Sequence, residues 1–260
     1  MDGGLRMNPS GPMKEARSFA WQQLAGKCED IQKVIRSLGR EKFLPRARGY
    51  DEAAAFPFEN YRDMREAGIL AMTVPRSSGG LDIKYSDYAL LAAEMGRWCG
   101  ATALTYNMHA CTPLWVGHIT DDLELSVVDR EQHNKNRELH FSRIVNEGAV
   151  FAQPFSEGSA AAAGKAPFGT TAEKVDGGWV LNGKKIFASL SGAADYYGIL
   201  CTEQIGEPTL KETLFMAVPA EADGVSVSGP WDPVGMRATV SRTLILEDVY
   251  VADEQLLCLL

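Results

Sequence analysis

Asp176-Gly177-Gly178-Trp179-Val180-Leu181-Asn182-Gly183-Lys184-Lys185-Ile186-Phe187-Ala188-Ser189 is the stretch that decides the fold class. Asp-Gly-Gly and Asn-Gly bracket Trp179-Val180-Leu181, which predicts tight primed turns and a three-stranded meander. Working outward, strand-like runs recur over 148–153, 170–175, 196–202, 213–218, 224–228 and 243–251. Many short strands at this spacing predict a sandwich or barrel.

Upstream of Glu147 the apolar period becomes helical. Trp21, Leu24, Cys28, Ile31, Ile35 and Leu38 fall three or four apart, predicting a helix that Ser18 caps and Gly39 ends. Residues 40–56 read as irregular. A helix follows over 58–67 with Phe58, Tyr61 and Met64 inward, then an extended apolar passage over 69–75 and a helix capped by Ser86. Residues 101–119 are the most apolar long segment, but Asn107, His109, Pro113 and His118 interrupt it, so it reads as a buried helix and not a membrane span. Residues 121–146 suit an outer helix pair. The expectation is an α+β chain: a tail over 1–17, a helical domain over 18–147, a β-barrel or sandwich over 148–257 and a short end at 258–260.

A net charge of −8 without clustered Lys or Arg argues against a nucleic-acid partner. Five scattered cysteines without a C-x-x-C pair read as reduced thiols of a cytoplasmic protein. Gly178-x-x-x-x-Gly183-Lys184-Lys185 nearly spells a phosphate loop, but Lys185 stands where Ser or Thr must reach the metal, and the segment joins strands. The four histidines show no ligand spacing, and His109 and His118 read as core groups.

Phe151-Ala152-Gln153-Pro154-Phe155-Ser156-Glu157-Gly158-Ser159, taken with Leu181-Asn182-Gly183-Lys184-Lys185-Ile186-Phe187-Ala188-Ser189, resembles the two flavin-contacting segments of the acyl-CoA dehydrogenase family, T-E-P-G-A-G-S-D and L-N-G-K-K-x-W-I-T-N-G. Three further stretches resemble the same family in order: Arg65-Glu66-Ala67-Gly68 with Val74-Pro75 and Gly79-Gly80; Glu94-Met95-Gly96 with residues 103–109; and Gly235-Met236-Arg237 with Ser241-Arg242 and residues 247–251.

The resemblance implies FAD, an acyl-CoA substrate, an electron-transfer partner and α,β-dehydrogenation of a thioester by a carboxylate base together with the flavin. It implies that Gln153 and the backbone near Ala152 meet the pyrimidine edge of the ring. Phe187 would cover one face, with Ala188 beside it and Ser189 near N5 and O4. Gly158 and Ser159 would lie at the diphosphate or the pantetheine entrance, Ser159 on the substrate side. Gln153, Pro154 and Phe155 replace the family's Thr, Glu and Pro, and Ala160 replaces its Asp; Phe187 replaces Trp and Ser189 replaces Thr.

The family's catalytic glutamate belongs to a third, helical domain expected after residue 257, so no catalytic residue is assigned. A complete site then needs a homo-oligomer or a separate helical domain, and the apolar end at 256–260 should be exposed. Two rival readings stand beside this one. The first is a flavin-dependent monooxygenase of the same superfamily, mildly favoured by Gln153-Pro154-Phe155. The second is a non-catalytic, partner-binding remnant.

Overall fold

The computed structural model describes residues 26–158 and 164–259. The tail over 1–17, the cap at Ser18, and Ser159 with its neighbours 160–163 lie outside the described residues.

Helix α1 (Lys27–Leu38) buries Cys28, Ile31 and Ile35, as the period requires. Gly39 does not end the helix. It keeps right-handed helical geometry and opens a π-helical turn (Gly39–Phe43) that runs directly into α2 (Leu44–Ala53), so 40–56 is largely helical. The glycine serves packing instead: a Cβ on Gly39 would stand 2.1 Å from Trp98 Cδ1. Pro45 is the second residue of α2, directly after this π-helical turn.

Helix α3 (Phe58–Glu66) buries Tyr61 and Met64 but leaves Phe58 58% exposed; Phe56, just before the helix, fills the core position expected of it. Residues 69–75 are a string of turns and not an extended run. Helix α4 (Tyr85–Gly96) begins without a side-chain cap, and Ser86 lies inside it. Helix α5 (Gly100–Gly117) is buried through most of its length. Residues 121–146 hold one long helix, α6 (Val127–Ser142), which Ser126 caps by accepting from Asp129 N–H, and a π-helical turn (Arg143–Glu147).

The β region contains β1 (Phe151–Ala152), β2 (Thr171–Val175), β3 (Gly178–Ala188), β4 (Tyr196–Glu203), β5 (Thr213–Pro219), β6 (Val225–Ser228), β7 (Arg242–Ala252) and β8 (Leu256–Leu259). They form one mixed sheet in the order β6-β7-β3-β2-β4-β5-β8, with β1 parallel to β4. β5 and β7 also touch, so the sheet curls around its own interior. The Asp176-Gly177 turn joins β2 to β3 as a tight two-residue turn, but only Gly177 is left-handed, so it is not of the primed type expected.

Asn182-Gly183 is different: β3 runs straight through it. Asn182 exchanges two hydrogen bonds with Asp248, at a bulge where Asp248 is left-handed, and a Cβ on Gly183 would lie 2.5 Å from Thr170 Oγ1. The dipeptide marks a bulge and a close approach, not a turn. The apolar end is also covered where it is described. β8 pairs with β5, and Leu257 and Cys258 are buried.

Helix α5 ties the two halves together. Asn60 donates to Thr102, Tyr106 donates to the Ile69 carbonyl, and His109 bridges helix and sheet. Phe151 N–H donates to His109 Nδ1 at 3.1 Å, so that nitrogen is bare and Nε2–H donates to the Leu70 carbonyl at 2.9 Å. Burial holds this neutral imidazole down to a pKa of about 4. From the sheet side, Arg237 clasps Asp51 of α2 through its backbone N–H and guanidinium.

Candidate functional site

Two chain segments meet beside α5. The first leaves β1 as Gln153–Gly158. Its Ser156 carbonyl accepts from Ile186 N–H at 2.7 Å, which lays it alongside the end of β3, one residue before Phe187.

That end of β3 is irregular for a visible reason. The register with β7 shifts between Lys185 and Ala188, and Phe187 has φ of 54°. A left-handed aromatic residue is strained by roughly 1–3 kcal/mol and recurs at ligand sites. The bulge rotates the Phe187 ring out of the sheet, 64% exposed, with the edge of Trp231 as its neighbour at 6.1 Å. Ala188 and Ser189 return to the interior.

Ser189 Oγ lies 2.8 Å from Ser241 Oγ, which lies 2.6 Å from Thr239 Oγ1. All three hydroxyls belong to buried residues. On the other segment Ala152 is fully buried, and Gln153 is 2% exposed. Gln153 Oε1 accepts from Thr112 of α5 at 3.3 Å, while Nε2 has no hydrogen-bond partner among the described residues. A buried amide donor left over in this way is suited to a ligand carbonyl or ring nitrogen. Gly158 is left-handed and exposed. Of the expected set, Ala152, Gln153, Gly158, Phe187, Ala188 and Ser189 thus lie on adjoining segments, whereas Ser159 falls outside the described residues.

Sequence reading missed the groups that hold these segments. Lys185 is fully buried, with Nζ 2.6 Å from Glu157 Oε1 and 2.6 Å from the Leu200 carbonyl. Glu157 also accepts from Gly169 N–H at 2.7 Å, Thr170 N–H at 2.9 Å and the Thr170 hydroxyl. Burial alone would raise the Glu157 pKa, but the Lys185 and Thr170 hydrogen bonds outweigh it and hold the carboxyl below its ordinary range. The signal was present in the alternation of β3, where Lys185 occupies an inward position two residues after Gly183 and four after the buried Leu181. Thr112, Thr239 and Ser241 carried no such signal.

Among the described residues there is no His, Cys, Asp and Glu cluster able to hold a metal, and none of the five cysteines forms a disulfide. No helix is long and apolar enough to cross a membrane among those residues. A wide groove of about 560 Å³ also runs along α5, lined by Lys84, Tyr85, Cys111, Leu114, Trp115 and His118.

The family models for the acyl-CoA dehydrogenase N-terminal domain and middle domain match residues 27–119 and 155–249. The chain belongs to the acyl-CoA dehydrogenase family. It is 31% identical over 230 residues to the putative acyl-CoA dehydrogenase YdbM of Bacillus subtilis, with 87% of this chain and 56% of that protein covered. Its fold resembles butyryl-CoA dehydrogenase from Megasphaera elsdenii, with a TM-score of 0.72, 20% identity, and 90% and 58% of the two chains covered. It equally resembles the nitrososynthase from Micromonospora carbonacea var. africana, with a TM-score of 0.73, 18% identity, and 90% and 56% covered. The chain spans little over half the length of the curated relatives it matches. At these identities the two structures establish the fold alone.

Proposed function

We propose that this chain carries the flavin-contacting part of an acyl-CoA dehydrogenase. The observation that carries the reading is the strained, outward-facing Phe187 backed by buried Ser189 and flanked by the segment bearing Gln153, whose Nε2 has no partner among the described residues. An aromatic face, a hydroxyl and an amide donor are what an isoalloxazine ring needs. Phe187 would cover the ring, Gln153 and the backbone at Ala152 would bond its pyrimidine edge, and Ser189 would sit near N5. Left-handed Gly158 would let a phosphate or the pantetheine approach the backbone.

Bound there, FAD would accept the two electrons removed from the Cα–Cβ bond of an acyl-CoA thioester. No carboxylate of this chain is assigned the role of base. An electron-transfer partner would then reoxidise the flavin.

A flavin-dependent monooxygenase is the second reading. It is favoured by Gln153-Pro154-Phe155 in place of Thr-Glu-Pro. Anaerobic mixing of the flavin-loaded protein with short- and medium-chain acyl-CoA separates the two. Loss of visible flavin absorption supports dehydrogenation. Absorption that persists until an external reductant and O₂ are supplied supports monooxygenation.

A further inference from the structure

Three buried hydroxyls run in a row from the end of β3 into the loop before β7, and their proton order can be worked out from one end. Thr239 Oγ1 lies 2.9 Å from the Met236 carbonyl, which also accepts from Thr239 N–H and Trp231 Nε1–H. A carbonyl has no proton to give, so Thr239 donates its own. The 2.6 Å contact between Thr239 and Ser241 then needs its proton from Ser241. With that proton committed, the 2.8 Å contact between Ser241 and Ser189 needs its proton from Ser189. No other partner of the Ser189 hydroxyl lies among the described residues. Ser189 therefore offers lone pairs, and no proton, to anything that approaches it.

We infer that Ser241 and Thr239 are positioning residues that fix Ser189 as a hydrogen-bond acceptor, so that it selects a ligand N–H over a bare ring nitrogen. The inference rests on the flavin reading above. N5 of a flavin is a bare nitrogen when oxidised. When two electrons and a proton from solvent are taken up, it becomes an N–H. A Ser189 held as acceptor favours the reduced form, and the loop carrying Thr239 and Ser241 sets the flavin's potential without touching it.

The test is an anaerobic dithionite titration of the flavin-loaded protein against an indicator dye, which gives the midpoint potential. In Ser241→Ala the Ser189 proton is released to point outward. In Thr239→Val, nearly the same shape, Ser241 loses its acceptor and can turn its proton onto Ser189, with the same result. Each should weaken reduced flavin relative to oxidised flavin by about tenfold, one neutral hydrogen bond, which is about 30 mV lower for a two-electron couple. Ser241→Thr keeps the hydroxyl and should restore the wild-type potential.

A merely structural role would weaken both oxidation states alike and leave the potential where it was. Flavin bound with an unchanged or raised potential in both Ser241→Ala and Thr239→Val overturns this inference alone. Wild-type protein that takes up no flavin in either state overturns the flavin reading with it.

Discussion

Removing the carboxylate of Glu157 should be among the most damaging single changes available to this chain, although Glu157 is not assigned to the chemistry. Lys185 is wholly enclosed, and its ammonium has two oxygen partners, Glu157 Oε1 and the Leu200 carbonyl, with the Phe168 ring 4.6 Å away. Glu157→Ala leaves that charge with one neutral partner and strips the acceptor from the Gly169 and Thr170 N–H groups. Breaking a buried pair from one side costs about 3–5 kcal/mol. For a chain of this size each kcal/mol moves Tm by about 2–4 °C, so Tm should fall by roughly 6–20 °C.

Glu157→Leu combined with Lys185→Met removes both charges and should recover the part of that loss due to the stranded ammonium, because apolar replacement of a buried pair is often neutral, while the Gly169 and Thr170 donors stay without their acceptor. The assay is urea unfolding of the four members of the cycle, with a coupling energy of about 3 kcal/mol expected. The pH dependence follows from the direction of the shift. The native Glu157 pKa is depressed, so its stabilisation is complete above the unfolded value near 4.5 and is lost as pH falls through the lower native value. Wild-type and Glu157→Ala curves should converge in acid. A single-mutant loss below about 1 kcal/mol, the size of an exposed pair, would refute the reasoning.

Other outcomes follow from the same geometry. His109 is neutral and buried with a native pKa near 4 against 6.5 unfolded, so about 3 kcal/mol present above pH 6.5 should drain away as pH falls to about 4. Denaturant unfolding at stepped pH should show that slope, reduced by one proton in His109→Gln. Gly39→Ala should destabilise by roughly 1–3 kcal/mol through collision with Trp98, while Gly49→Ala, in helix α2 with open space around it, should stabilise by about 0.5–1 kcal/mol. Phe187→Gly relieves a left-handed aromatic residue whose ring is mostly exposed. Stability should hold or rise by about 1 kcal/mol in thermal melts while flavin affinity falls.

The helical and β halves were legible because periods of 3.6 and 2 survive in the sequence wherever one face is buried. The readings that missed did so where tertiary packing reassigned a local signal. Gly39 looked like a helix stop, yet it makes room for Trp98; Asn182-Gly183 looked like a hairpin, yet Asp248 and Thr170 claim it from neighbouring elements. Phe58 matched the helical stripe, but Phe56 took its place in the core. At the candidate site, the residues carried by the family motifs were readable. Lys185 was passed over despite its inward position, because a charge there makes sense only once Glu157, nearly thirty residues upstream, is brought beside it. Ser241 stood in a family-like stretch that assigned it no role, and Thr239 gave no warning, since a hydroxyl reveals its role only through the distance to the next one.

The central claim is that Phe187, Ser189 and Gln153 form one wall of a flavin site, and a crystal structure of the protein grown with FAD tests it most directly. The ring should lie against Phe187, with Ser189 Oγ and Gln153 Nε2 each within hydrogen-bond distance of its polar edge. A flavin seated elsewhere, or one that leaves the Gln153 amide and the Ser189 hydroxyl untouched, would contradict it.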